Sequence, residues 1–116
     1  LTLRNPLIHK YTDYDATLDV TGLRTVGQSW AGNTPTDDYR LSPINGNVEA
    51  LRNVLLFVGT KEIMFPDVMK FVKKLRAADV NVQYHIGREL YHEYPVTPIP
   101  EANTALNQIN RFIVND

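Results

Sequence analysis

The chain has 116 residues, of which 12 are Lys or Arg and 13 are Asp or Glu, so its net charge is −1. This length suits one domain or part of one, and the balanced charge argues against a sequence-independent nucleic-acid binder. The hydrophobic content of 43% argues against disorder, and no apolar run approaches the ~18 residues of a membrane span. The absence of cysteine excludes a disulfide scaffold, a thiolate zinc site and a cysteine nucleophile. It fits a reducing compartment, so we expect a cytoplasmic location.

The N-terminal segment, residues 1–17, opens with Leu-Thr-Leu rather than Met, which is typical of a strand end inside a longer protein. Asn5-Pro6 predicts a break, because the residue before proline is pushed out of the helical region. Tyr11–Asp15 is polar and aromatic and predicts a loop. We therefore expect this chain to be a piece of something larger.

A first helix is predicted over 19–31, with Thr17 or Asp19 as its N-cap and Gly32 just beyond its end. Its apolar residues recur at roughly helical spacing. The predicted stripe consists of Leu18, Leu23, Val26, Trp30 and Ala31. The turn-rich connection 32–47 is long for a compact domain, which is typical of functional or well-packed loops.

The second half has the clearest pattern. The continuous apolar run Val54–Val58 predicts a strand buried on both faces, as in a parallel sheet. Pro66 suits the first position of a helix over 66–78. The predicted buried stripe of that helix is Val68, Phe71, Val72 and Leu75. The alternating segment Val80–Ile86 predicts an edge or half-buried strand, which completes a parallel βαβ unit.

Pro100 is predicted to open a last helix with Glu101 in its first turn. The apolar face of that helix comprises Ala102, Ala105, Leu106, Ile109, Phe112 and Ile113. Two strands cannot make an independent parallel sheet with both faces covered. The chain is therefore expected to supply the end of a larger α/β sheet.

Two polar loops follow the predicted strands, at the sheet edge where open α/β sheets place their ligands and catalytic groups. The loop 59–65 offers the carboxylate of Glu62, and the loop 87–94 offers the imidazole of His92. If the strands are neighbours, these side chains can meet. A carboxylate that accepts the Nδ1–H of histidine fixes its tautomer and stabilises its charged form, as a general base requires. Glu62 alone is explained equally well as an exposed loop carboxylate, and His92 alone as a surface or packing histidine. The prediction of a catalytic site therefore depends on the two residues together.

Other candidates have simpler explanations. Asp67 is explained by the N-terminus of a helix, and Glu89 and Glu93 are expected to be solvated. His85 lies inside a strand, and His9 has no partner motif.

A nucleophile elbow, G-x-S-x-G, is approached but not matched by Gly27–Gly32. Ala31 stands where the second glycine belongs, no apolar strand precedes the segment, and Ser29 falls late in a predicted helix. No histidine spacing suits a metal, and no glycine-rich phosphate loop is present. We therefore predict neither a metal nor a cofactor.

Three stretches together resemble the C-terminal part of the α/β-hydrolase fold, in particular the hormone-sensitive-lipase-like esterases. The stretches are Tyr39–Pro43, Val54–Asp67 and His92–Pro95. In that family a G-T-x-D/E-I-x-x-P-D segment follows the seventh strand, and its first acid is the triad acid. A histidine with proline within three residues follows the eighth strand and is the triad base. The resemblance implies these roles for Glu62 and His92, although Asp is commoner than Glu at the acid position.

The resemblance implies a three-layer α/β/α fold in the full protein, with residues 1–116 as the C-terminal part of a single domain. It also implies a carboxylic ester hydrolase whose serine and oxyanion donors lie upstream, so the isolated chain should be inactive. The expected partners are a small-molecule ester and the N-terminal part of the same protein, and a homo-oligomer stays open. The alternatives are a non-catalytic α/β interaction module and a peptidase of the same fold.

Overall fold

The two predicted strands form a parallel pair in the computed structural model, which describes residues 2–114. Strand β1 spans Asn53–Gly59, and strand β2 spans Asn81–Gly87. The register places Gly59 opposite Gly87, so both strands end at the same level. The loops that follow them therefore begin side by side.

Helix α1 spans Val20–Ala31 and helix α2 spans Phe65–Ala77. Helix α2 connects β1 to β2 and packs on one face of the sheet, with Val72 and Leu75 fully buried. Pro66 occupies the second position of α2 rather than the first. The missing N–H of proline is equally harmless there, since the first four N–H groups of a helix have no intrahelical acceptor.

Helix α3, Pro100–Val114, lies on the opposite face of the sheet. Its side chains line a polar cleft together with Gln83 and His85 of β2. Val82 alternates with these two residues along β2 and packs toward α2, so α2 and α3 lie on opposite faces. The described part of the chain thus has three layers, helix, sheet and helix. The apolar stripe of α3 is only partly covered, since Ala105 is buried but Ile113 is 67% exposed.

The prediction that β1 is buried on both faces is wrong for the described residues. Its central residues, 54–57, are half-buried, and only Val58 and Gly59 are buried. The reason is that β1 pairs with β2 along one edge and has no second strand partner between residues 2 and 114.

The predicted stripe of α1 is also only partly right. Asp19 is the N-cap and accepts a 2.6 Å hydrogen bond from the Gly22 N–H. Leu23 packs against the core, but Trp30 is 81% exposed and Val26 is 61% exposed. Ala31, at the C-terminal end of α1, is buried, so the helix docks near both of its ends while Val26 and Trp30 face solvent.

The N-terminal segment contains a 3-10 helix, Pro6–Lys10, which begins at the predicted break. Leu3 and Ile8 of this segment are buried against Ile63, in the loop after β1. Leu1 lies outside the described residues, and no strand forms at residues 2 and 3. Among the described helices, none is both long and apolar enough to cross a membrane.

Replacement of the fully buried Leu75 by alanine is expected to lower the free energy of unfolding by about 2–5 kcal/mol, because it removes packed atoms and leaves a cavity. Urea unfolding measures the change. Leu106→Ala is the matched control on α3, since Leu106 is 43% exposed. Equal losses in the two variants would contradict the described core.

Candidate active site

The carboxylate of Glu62 is buried in the turn that follows β1. The residue is 3% exposed, and its Oε1 accepts a 2.6 Å hydrogen bond from the backbone N–H of Gly59. The Phe65 N–H donates to the carbonyl oxygen of Glu62 at 3.2 Å. A buried carboxylate needs partners for both oxygens, so Oε2 requires one from outside the turn.

That partner is His92, in the loop after β2. Its Nδ1 lies 2.5 Å from Oε2 of Glu62, and the carboxylate side chain is 4% exposed while the imidazole is 37% exposed. An ionised carboxylate only accepts hydrogen bonds, so Nδ1 donates and Nε2 of the neutral ring is left as an acceptor. The pair thus combines a shielded anion with an accessible base.

Backbone hydrogen bonds join the two loops beyond the strands. Thr60 N–H donates to the Gly87 carbonyl at 2.9 Å, and Lys61 N–H donates to the Leu90 carbonyl at 3.0 Å. The Thr60 hydroxyl accepts from the Glu89 N–H at 2.9 Å, and the Lys61 ammonium lies 2.8 Å from the Glu89 carboxylate. The loops are therefore one connected unit, which fixes the distance between Glu62 and His92.

Gly59 allows this close approach because it has no side chain. A Cβ at this position would lie 2.1 Å from the carbonyl oxygen of Leu90 and 2.9 Å from that of Tyr91. Any other residue would push the second loop away from the first. The glycine that ends β1 is therefore a requirement of the pair.

The pair borders an open cavity with mixed walls. Phe57, Met64 and Val68 line it on the side of β1 and α2, and Val96 lines it beyond His92. Buried Tyr94 packs edge-on against Phe57, with ring centroids 6.1 Å apart. Burial, and then the negative charge of Glu62, raise the pKa of the Tyr94 hydroxyl, which keeps it neutral.

The other sequence candidates lie elsewhere. Asp67 accepts a 2.8 Å hydrogen bond from the Asn5 side-chain amide, at the start of α2. His85 stacks on Phe57 with centroids 5.0 Å apart, and Nδ1 of His9 bonds the Pro6 carbonyl. Ser29 is exposed within α1, where no elbow exists.

Residues 2–114 contain no group of three or more His, Cys, Asp or Glu side chains placed to hold a metal ion. The candidate site consists of one carboxylate, Glu62, and one imidazole, His92. Glu93 adds a further carboxylate nearby, but its Oε1 lies 3.9 Å from Nε2 of His92 and its side chain is 71% exposed.

Asp15 was missed as a site residue by sequence reasoning, which placed it in a loop. Its Oδ2 accepts a 2.8 Å hydrogen bond from the N–H of Ile63, the neighbour of Glu62. Its Oδ1 accepts from the N–H groups of Thr17 and Leu18 at 2.9 and 2.8 Å. The spacing Asp-x-Thr is a turn signal, but nothing in the sequence indicates the partner 48 positions away.

Comparison with known proteins identifies the fold family. A family model described as the alpha/beta hydrolase fold matches residues 2–96. The chain belongs to the α/β-hydrolase family. The predicted family and fold class are thus confirmed.

Relatives of this α/β hydrolase are esterases by name. An esterase from Acinetobacter venetianus is 28% identical over 115 residues, which cover 97% of this chain and 38% of that protein. A solved structure of a proposed esterase from Staphylococcus aureus has a TM-score of 0.94 at 31% identity, over 99% of this chain and 39% of that one. The chain thus spans about two fifths of the length of these relatives.

More distant solved structures share the fold. The HSL homologue EstE7 from a metagenome library has a TM-score of 0.91 at 20% identity, over 98% of this chain and 40% of that one. A hormone-sensitive lipase from a metagenome library has a TM-score of 0.90 at 20% identity, over 97% and 38% of the two chains. The architecture of this α/β hydrolase therefore persists where four in five residues differ.

Gly59→Ala is expected to separate the two loops, because the new Cβ would clash with the Leu90 carbonyl. We expect a loss of about 1–3 kcal/mol in the free energy of unfolding, as for other overpacked sites. Ser29→Thr is the control, since it also adds one carbon atom but at an exposed position of α1. Wild-type stability of Gly59→Ala would contradict the described contact.

Asp15 is expected to make stability depend on acid pH. Burial opposes ionisation of its carboxyl, but the hydrogen bonds from Ile63, Thr17 and Leu18 outweigh burial and lower its pKa from 3.8. The unfolded chain then binds the proton more tightly than the folded one. The stabilisation is complete above about pH 5 and is lost as the pH falls through the lowered pKa.

Urea unfolding at neutral pH and at about pH 3 tests this linkage. The stability difference between the wild type and Asp15→Asn should shrink at the lower pH. Asp13→Asn, at an exposed neighbour in the same segment, should track the wild type at both values. A difference for Asp15→Asn that does not change with pH would refute the linkage.

Proposed function

We propose that this chain supplies the acid and the general base of a serine carboxylesterase, with Glu62 as the acid and His92 as the base. The roles of these two residues rest on the 2.5 Å contact between Nδ1 of His92 and Oε2 of the buried Glu62. In this proposal residues 1–116 are the C-terminal part of one α/β-hydrolase domain. The nucleophilic serine and the oxyanion donors belong to a part of the protein that precedes this chain.

The proposed reaction uses the nitrogen that Glu62 leaves unoccupied. Nε2 of His92 accepts the proton of the serine hydroxyl as the serine oxygen attacks the ester carbonyl carbon. The imidazolium then gives that proton to the leaving alcohol oxygen. A water molecule then attacks the acyl carbon while His92 takes a proton from it. The imidazolium gives that proton to the serine oxygen as its bond to the acyl carbon breaks, and the carboxylic acid leaves.

Glu62 contributes in two ways to this step. Its hydrogen bond keeps the proton of the neutral imidazole on Nδ1, so that Nε2 is the basic nitrogen. Its negative charge, shielded from water at 4% exposure, stabilises the imidazolium that forms during attack. The Gly59 N–H holds the carboxylate still, so no reorganisation is needed as the charge develops.

Glu in place of the commoner Asp suits the geometry described here. The longer side chain reaches back to the Gly59 N–H with one oxygen and across to His92 with the other. A side chain shorter by one methylene could not keep both contacts without a shift of the turn. Glu62→Asp is therefore a graded change within the proposed machinery.

The proposed substrate is a small carboxylic ester. The names of the relatives support the ester class, and the apolar residues beside His92, among them Met64 and Val96, suit an uncharged substrate. A peptidase of the same fold would use the same pair, and assays with aminoacyl amides separate it from an esterase. A cytoplasmic location stays a prediction, and a homo-oligomer stays an open alternative.

His92→Ala and Glu62→Gln test the proposal in the protein made from its complete coding sequence. We expect kcat for a p-nitrophenyl ester to fall about 10³–10⁴-fold in each, because one change removes the base and the other its orienting anion. Glu62→Asp should retain an intermediate activity. Wild-type turnover by His92→Ala would refute the role of the base.

The matched controls make the same two substitutions, His to Ala and Glu to Gln, at positions away from the site. His9→Ala removes an exposed histidine, and Glu49→Gln neutralises an exposed carboxylate that contacts only its neighbour Asn47 among the hydrogen bonds described. Both should hydrolyse the ester at the wild-type rate. If they lose activity like the site variants, the loss is a general effect on folding.

A fluorophosphonate probe separates a serine hydrolase from a non-catalytic module, because only an activated serine is phosphonylated. The complete protein should be labelled, His92→Ala should be labelled far more slowly, and the isolated 116-residue chain should be neither labelled nor active. A complete protein that resists the probe would favour the interaction module.

A further inference from the structure

We infer that Asp15 is a positioning residue for the proposed acid, because its carboxylate holds the peptide unit that carries Glu62. Asp15 does not touch His92 or the cavity beside it; it acts through the backbone of Ile63. The inference rests on the proposed function of Glu62 and His92. It adds a second carboxylate to that of Glu62, from the N-terminal segment of the chain.

The peptide unit between Glu62 and Ile63 is held at both of its polar ends. Its N–H donates to Oδ2 of Asp15 at 2.8 Å, and its carbonyl oxygen accepts from the Phe65 N–H at 3.2 Å. A peptide unit fixed at both ends cannot rotate about the Cα–C bond of Glu62. The side chain therefore leaves the backbone in one direction only.

Asp15 is itself fixed before it reaches the turn. Its Oδ1 accepts three hydrogen bonds, from the Thr17 N–H at 2.9 Å, the Thr17 hydroxyl at 3.0 Å and the Leu18 N–H at 2.8 Å. This local turn orients the carboxylate without help from the rest of the molecule. The remaining oxygen then points at one target, the N–H of Ile63.

Four donors converge on the two oxygens of Asp15, which explains why a carboxylate is needed. Asparagine has one acceptor oxygen, and its amide nitrogen would face either the Ile63 N–H or the Thr17 and Leu18 N–H groups. One of the two sides must then lose its hydrogen bonds. Asp15→Asn is thus nearly the same size as the native residue but cannot bridge the two segments.

The same N-terminal segment is anchored a second time, at a place that does not touch Glu62. The Asn5 side-chain amide donates to Asp67 at 2.8 Å, in the first turn of α2. Loss of this contact loosens the segment but leaves the peptide unit of Glu62 with its partners. Asn5→Ala therefore separates general anchoring from positioning of the acid.

The experiment compares Asp15→Asn with Asn5→Ala in the protein made from its complete coding sequence. Each variant is assayed with a p-nitrophenyl ester for kcat, KM and the pH dependence of kcat/KM. Circular dichroism measures the folded fraction of each variant, and the rates are divided by that fraction. Proton NMR follows the far-downfield resonance of the His92 Nδ1–H, which reports its bond to Glu62.

Asp15→Asn should lower kcat about 10–100-fold while KM changes less than about twofold, because the reacting groups are misplaced and the substrate pocket is not. The Nδ1–H resonance should broaden or move upfield. The acid limb of the pH profile should move to lower pH, since the imidazolium loses part of its stabilisation by Glu62. Glu93 is the other carboxylate near His92, and it is unchanged.

Asn5→Ala should keep the wild-type kcat, pH profile and resonance. If both variants lose activity alike with unchanged profiles and resonances, Asp15 is a structural anchor only and the inference fails. If Asp15→Asn keeps the wild-type kcat and resonance, it also fails. If Asp15→Asn does not fold, Asp15→Glu replaces it, because glutamate retains the charge but displaces it by one methylene. The far-downfield resonance of the His92 Nδ1–H must then broaden or move upfield in Asp15→Glu, and an unchanged resonance would contradict the inference.

Failure of the proposed function gives a different result. In that case Glu62→Gln and His92→Ala retain turnover, whatever Asp15→Asn does. If those two variants are inactive and Asp15→Asn behaves like the wild type, the proposed acid and base stand and only the positioning role is lost.

Discussion

The parallel pairing of β1 and β2, with Gly59 opposite Gly87, is the constraint on which the candidate site depends. Strands that end at the same level release their loops side by side, and hydrogen bonds between those loops continue the contact beyond the sheet. Within this frame a carboxylate three residues after one strand meets an imidazole five residues after the other. A register shifted by one residue would turn every side chain of a strand to the opposite face and separate the pair.

Burial gives the pair its asymmetry. Glu62 is enclosed and hydrogen-bonded through both oxygens, whereas the imidazole of His92 is more than a third exposed. An anion in such a place interacts strongly with a charge that forms beside it, since little water screens the two. The apolar side chains that line part of the cavity beside His92, and the neutral hydroxyl of Tyr94, extend the same environment. Shielding on one side and access on the other are what a general base and its orienting acid require.

The sequence predicts the fold of this segment well where the signal is local. The apolar run before Gly59, the Pro66 helix start and the alternation around Tyr84 are each visible within a few residues. The meeting of Glu62 and His92 spans 30 residues, and it follows from the sequence only once the two strands are taken as neighbours. Burial of β1 and the orientation of Trp30 were predicted wrongly, because periodicity records which residues are apolar and not which neighbours cover them. Asp15 could not be found, since its partner is a backbone N–H that has no sequence signature.

The contacts that fix Glu62 come from sequence separations of 3, 30 and 48 residues. The shortest forms within a single turn, whereas the others require the strands to pair and the N-terminal segment to dock. Closing such loops costs conformational entropy that local contacts do not. The orientation of Glu62 therefore depends on the docking of the N-terminal segment as well as on the pairing of the two strands.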